Sequence, residues 1–68
     1  MNGKEFIRKV RKLGRRTGTP VTLDSARGKG GHQTLTYGGR RTIVQTGELP
    51  TGTFRAMCKQ LGIDPEDL

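Results

Sequence analysis

Apolar residues recur at helical spacing near both ends of the sequence. In residues 3–16 they fall at steps of one and three, and a later stretch again forms one stripe, as expected of helices that bury one face. The two stripes are Phe6, Ile7, Val10 and Leu13 in the first helix, and Phe54, Met57, Cys58 and Leu61 in the second. Asn2 is predicted to cap the first helix and Thr51 or Thr53 the second, which should end at Gly62.

Between these stripes, apolar and polar residues alternate with the period of a β-strand. The predicted strands are residues 21–25, 33–37 and 40–46. Gly38 and Gly39 separate the last two strands as a two-residue hairpin turn, because glycine adopts positive φ without strain. Ile43 and Val44 are adjacent, so alternation alone does not decide which of them faces the core.

The order of elements predicts an α+β domain of the form α-β-β-β-α that spans residues 1–68. The simplest packing places both helices on one face of a three-stranded antiparallel sheet. The expected core consists of the two helical stripes together with Val21, Leu23, Leu35 and either Ile43 or Tyr37. A last helical turn is expected after Asp64, with Pro65 at its first position.

The chain carries a formal net charge of +7 and has an isoelectric point near 10.6. Seven of its 13 basic residues lie in the first predicted helix, where Glu5 is the one acid. They are Lys4, Arg8, Lys9, Arg11, Lys12, Arg15 and Arg16. The helix dipole favours cations only in the last turn. We therefore expect this helix to contact phosphates or an acidic partner.

The rest of the composition indicates where the protein acts and what its single cysteine does. A single cysteine, Cys58, cannot form an intramolecular disulfide, and its place in an apolar stripe predicts a buried side chain. No apolar run approaches the length of a membrane span, and the start lacks the apolar segment of a signal peptide. We therefore expect a cytoplasmic protein without membrane association.

The only histidine, His32, follows a basic glycine-rich segment and precedes the second strand. It shares strand parity with Thr34 and Thr36 rather than with Leu35, which predicts that it lies outside the core. One histidine and one distant cysteine do not make a metal site. The glycine run also lacks the pattern of a nucleotide-binding loop. We therefore expect neither a metal nor another cofactor.

Cleavage of RNA needs no metal, because the 2′-hydroxyl of RNA is itself a nucleophile. His32 is the candidate for proton transfer near neutral pH. Arg27 and Lys29 are expected to neutralise charge on the phosphate, and the backbone at Gly30 and Gly31 is expected to approach it closely. Further contacts with the RNA backbone are predicted for Arg40, Arg41, Lys12, Arg15 and Arg16. The second proton-transfer group is left open among Tyr37, a lysine and water.

The chain also resembles the HicA family of bacterial mRNA interferase toxins over nearly its whole length. The matching segments are Asn2-Gly3-Lys4-Glu5-Phe6-Ile7, Gly30-Gly31-His32, Gly39-Arg40-Arg41-Thr42-Ile43-Val44, and Leu49-Pro50-Thr51-Gly52-Thr53-Phe54-Arg55-Ala56-Met57 through Gly62-Ile63. The resemblance implies a fold like that of double-stranded-RNA-binding domains, metal-independent cleavage of mRNA through His32, and neutralisation by a HicB-type antitoxin. The chain departs from the family in having Gly31 where serine or histidine is usual.

Two other functions fit the same residues. A non-catalytic module for double-stranded RNA would use the cations for phosphates and 2′-hydroxyls and would not need the histidine. A DNA-binding domain is less favoured, because no helix carries the exposed residues next to a tight turn that reading the major groove requires.

Overall fold

A computed structural model describes residues 1–24 and 32–68. Its elements are the helix α1 (Gly3–Thr17), the strands β1 (Val21–Asp24), β2 (Gln33–Tyr37) and β3 (Arg40–Val44), the helix α2 (Thr51–Leu61) and a short 3₁₀ helix (Pro65–Asp67). The predicted α+β order α-β-β-β-α is confirmed. The predicted β3 was too long, since it ends at Val44 rather than at residue 46.

The three strands form one antiparallel sheet in the order β1-β2-β3, with β2 in the centre. Leu35 in β2 pairs with Leu23 on one side and with Thr42 on the other. Gly38 begins the β2–β3 turn with a φ of 61°. Gly39 has no positive φ, so the turn has the φ pattern of type II′, in which only the first central residue needs it.

The two helices start differently and end alike. The Asn2 side chain accepts a hydrogen bond of 2.9 Å from the backbone N–H of Glu5, as predicted. The threonine cap predicted for α2 is wrong, because Thr51 is already the first helical residue and Pro50 occupies the cap position. Gly18 and Gly62 end the helices in the left-handed conformation, with φ values of 71° and 72°.

Both helices cover the same face of the sheet. The buried apolar residues are Phe6, Ile7, Val10, Leu13, Leu35, Val44, Leu49, Met57, Cys58, Leu61 and Ile63. Val21, Leu23, Tyr37 and Phe54 pack against them and are partly buried. The opposite face carries Thr22, Asp24, Arg41 and Ile43, all exposed. Within the described ranges, no helix covers this open face.

The register decides between the two adjacent apolar residues of β3. Since Thr42 pairs with Leu35, Thr42 and Val44 share the helix-covered face and Ile43 faces away. Val44 is 1% exposed and Ile43 57% exposed, so the expectation that Ile43 or Tyr37 completes the core was wrong for Ile43. The buried hydroxyl of Thr42 donates a hydrogen bond to the side-chain oxygen of Gln60, which offsets the cost of burying it.

Leu49 and Ile63 join the core although neither belongs to a periodic stripe. They lie in the segments that flank α2, where the chain folds back. The start of α1 is fixed to one of these segments, because the N–H of Gly3 donates to the carbonyl of Gly47 at 3.1 Å and the N–H of Leu49 donates to the carbonyl of Met1 at 2.9 Å. A short bridge between Asn2 and Glu48 completes this contact.

Candidate nucleic-acid interface

His32 lies one residue before β2, and its side chain is exposed. The prediction that it lies outside the core is therefore confirmed. Arg27, Lys29, Gly30 and Gly31 fall outside the described residues, so the proposed phosphate loop remains a prediction from sequence.

The two ends of the sheet have different surroundings. Gln33 pairs with Val44, so the end that carries His32 also carries Gln45, and the backbone of Gln45 lies against Gly3. The other end is the β2–β3 hairpin. There, a Cβ added to Gly14 would lie 2.5 Å from Cγ2 of Val21, the first residue of β1. Helix α1 therefore runs from the His32 end of the sheet, where it starts, to the hairpin end.

The open face of the sheet presents short polar side chains in rows. One row across the strands is Thr22, Thr36 and Arg41, and the next is Asp24, Thr34 and Ile43. Arg41 and Ile43 border a shallow groove with Thr34. Arg41 is paired with Thr36, four residues along the chain from His32, which corresponds to about 14 Å.

Arg40 has a different position from Arg41, although the sequence suggested one joint role. Its parity matches that of Thr42, and its side chain folds over the end of α2, where a Cβ added to Gly62 would lie 3.2 Å from Cδ and 3.3 Å from Nε of Arg40. A cation there stabilises the negative end of the helix dipole. Arg40 is nevertheless exposed, and the RNA contact predicted for it stays a prediction.

The cations of α1 divide into two rows. Four of them follow the side of the helix next to β1, and we call them the β1-side row: Lys4, Arg8, Arg11 and Arg15. They line a groove whose floor includes Ile7 and Leu23, and which continues past Gly14 towards Val21. Lys9 and Arg16 form the opposite row, in a second groove that also contains Glu66 and Asp67. Lys12 borders both grooves.

The sequence analysis predicted contacts with the RNA backbone for Lys12, Arg15 and Arg16 on the first helix. The structure separates Arg15 from Arg16, which lie about 100° apart around a helix. Sequence reasoning missed Lys4, Arg8 and Arg11 as members of one row. From Lys4 to Arg15, successive members of the row are four, three and four residues apart, and this helical spacing is the signal that could have identified them.

The distribution of acids distinguishes the two rows. Lys9 forms an ion pair of 3.8 Å with Glu5. Within residues 1–24 and 32–68, no salt bridge involves a member of the β1-side row, and no acid lines the groove that contains Ile7 and Leu23. Glu5 lies beside Lys4 and Arg8 in a neighbouring pocket. Among the described residues, the β1-side row thus adjoins one acid at its start, whereas Glu66 and Asp67 line the groove of the opposite row.

Two other candidates do not contribute a site. Cys58 is buried, and burial together with the nearby Asp64 carboxylate raises the pKa of its thiol, which makes it a poor nucleophile. Tyr37 lies at the hairpin end, where its hydroxyl is 3.1 Å from that of Thr17. It is thus remote from His32 along β2 and does not serve as its partner in proton transfer.

The described part of the chain contains no cluster of three or more His, Cys, Asp or Glu side chains suited to a metal ion. The helices found there are too short or too polar to cross a membrane. No family model matches the chain, and no curated protein or solved structure matches it.

Proposed function

We propose that this protein is a metal-independent endoribonuclease that cleaves mRNA, the toxin of a HicA-type pair with a fold like that of double-stranded-RNA-binding domains. The observation that carries the proposal is the position of His32. The only imidazole of the chain is exposed at the end of the sheet where α1 begins, and it has no part in the core. Because the fold does not need this side chain, a functional role explains it best.

The proposed reaction uses the nucleophile of the substrate. His32 accepts the proton of a 2′-hydroxyl, and the 2′-oxygen forms a bond to the adjacent phosphorus. The bond from phosphorus to the 5′-oxygen breaks, and that oxygen leaves with a proton supplied by His32 or by water. The products are a 2′,3′-cyclic phosphate and a 5′-hydroxyl. Cations next to the phosphate stabilise the charge that develops on its oxygens.

An acidic partner is also part of the proposal. The surface of α1 carries most of the positive charge of the protein, and its β1-side row has no acid in its groove among the described residues. A HicB-type antitoxin that covers these cations would block access to RNA. It would also stabilise the fold, since a ligand that binds only the folded state shifts the folding equilibrium.

The decisive experiment incubates the wild type, His32→Ala and Thr34→Ala with mixed-sequence RNA in EDTA and scores the fragments. We expect cleavage by the wild type and by Thr34→Ala, two residues further along the chain, and none by His32→Ala. All three should have similar melting temperatures, because His32 and Thr34 both lie outside the buried core. Equal cleavage by His32→Ala would refute the catalytic role.

The second candidate is a non-catalytic RNA-binding module. The α1 cations favour it, because a row of basic side chains binds phosphates without any histidine. Binding of RNA by both the wild type and His32→Ala, with no fragments from either, would establish this alternative.

A further inference from the structure

We propose that the β1-side row of α1 is the track for the phosphodiester backbone of a single RNA strand, which it directs towards the His32 end of the sheet. The row consists of Lys4, Arg8, Arg11 and Arg15. This inference rests on the proposed function in taking RNA as the ligand, and it changes which cations carry the RNA. It assigns the contact to this row and excludes Lys9 and Arg16.

The spacing of the row fits a chain of phosphates. Successive members are four, three and four residues apart, so they rise by about 6, 4.5 and 6 Å along the helix axis. These steps are comparable to the separation of consecutive phosphates in a nucleic-acid strand. The row covers about 16.5 Å in total, and each member can meet a different phosphate.

The direction of the row connects it to the candidate catalytic histidine. Arg15 lies at the hairpin end, where α1 approaches Val21. Lys4 lies at the start of α1, next to Gly3, whose backbone contacts the segment after β3. This is the end of the sheet that carries His32. A strand bound along the row therefore runs towards the end of the sheet at which His32 lies.

The charges on the two sides of α1 favour this row over the other. Glu66 and Asp67 line the groove of Lys9 and Arg16, where they repel phosphate. Glu5 adjoins the β1-side row at Lys4 and Arg8. Among the described residues, no acid lines the groove that this row shares with Ile7 and Leu23. These aliphatic groups support the stems of the arginines, whose planar guanidinium groups bind phosphate through two hydrogen bonds.

The test compares two double variants that differ by one position along the helix. Arg8→Gln/Arg15→Gln removes two cations from the proposed track. Lys9→Gln/Arg16→Gln removes the same charge from the same turns of the opposite row. The ligand is a fluorescent single-stranded RNA with 2′-O-methyl groups, which has no nucleophilic hydroxyl. Binding is therefore measured whether or not the protein is a nuclease.

Log affinity falls with log salt concentration, and each phosphate contact with a single strand steepens this fall by about 0.7. Loss of two contacts should reduce the steepness by about 1.4 and weaken binding about 25-fold at 0.1 M salt. We expect this result for Arg8→Gln/Arg15→Gln and less than a threefold change for Lys9→Gln/Arg16→Gln. Arg11→Gln alone should weaken binding about fivefold, which keeps the test decisive if the first double variant does not fold.

Equal losses in the two double variants would overturn the track, because they would show that net charge and not position governs binding. Absence of RNA binding by the wild type would overturn it too. So would binding of a polyglutamate peptide that falls in Arg8→Gln/Arg15→Gln while RNA binding does not, since the row would then be a protein interface alone. If the row-specific loss occurs but unmodified RNA is not cleaved, the track stands and the nuclease proposal fails.

Discussion

Truncation of Val44 and of Ile43 to alanine tests the register that orders the whole sheet. The two residues are neighbours in β3, and their exposed fractions are 1% and 57%. Val44→Ala removes two methyl groups from the core. Ile43→Ala removes a larger aliphatic group from the open face, so the smaller deletion should have the larger effect.

The expected magnitudes follow from burial. Loss of two buried methyl groups costs about 1.6 kcal/mol in transfer free energy, and the cavity left behind adds about 1 kcal/mol. Val44→Ala should thus lower the free energy of unfolding by about 2.5 kcal/mol, out of roughly 3–10 kcal/mol for a domain of this size. Ile43→Ala should cost about 1 kcal/mol or less, because its side chain is largely solvated and mainly strand preference is lost.

The assay is thermal and urea unfolding followed by circular dichroism. For a domain of this length we expect Val44→Ala to lower the melting temperature by about 10–20 °C, and Ile43→Ala by less than about 8 °C. Equal effects, or a larger effect of Ile43→Ala, would refute the register. A shift of one residue would reverse the faces of β3, and Arg41 would then point towards the helices instead of the open face.

Two further predictions concern the packing of α1 and the buried thiol. Gly14→Ala should lower the melting temperature although alanine favours helix, because its Cβ would lie 2.5 Å from Cγ2 of Val21. Gly52→Ala is the control, because open space surrounds it and the substitution should raise the melting temperature slightly. A stabilised Gly14→Ala would contradict the close approach of α1 to β1. Burial first, and the Asp64 carboxylate second, raise the pKa of the Cys58 thiol, so the unfolded chain loses this proton at lower pH than the folded one. Stability should therefore fall as pH rises above the ordinary thiol pKa, and Cys58→Ala should show a smaller fall in urea unfolding at several pH values; identical pH dependence would exclude the effect.

The local pattern of apolar and polar residues was enough to predict the helices and strands of the fold. The spacing of Phe6, Val10 and Leu13 predicted α1 and its buried face, and the alternation around Leu35 predicted β2 with its observed bounds. Asn2 and Gly62 were identified as caps because the conformations they adopt depend on neighbours within a few residues. Interactions between residues so close along the chain can be predicted from a single sequence.

For the candidate site, the sequence provided the side chains but not their arrangement. The exposure of His32 followed from strand parity, which is a local property. The position of Arg40 over the end of α2, by contrast, depended on its approach to Gly62, a residue far along the chain. The same holds for Glu66 and Asp67, which share a groove with Lys9 and Arg16 only in the folded molecule.

By itself, the sequence determined which segments form helices and strands, where most of the apolar residues go, and that α1 is strongly basic. The tertiary structure alone decided that Val44 and not Ile43 enters the core, and which α1 cations share a groove with Glu66 and Asp67. The physical reason is the range of the interactions. Secondary structure and its faces follow from repeats of two to four residues, whereas strand register and charge compensation depend on groups that only folding brings together.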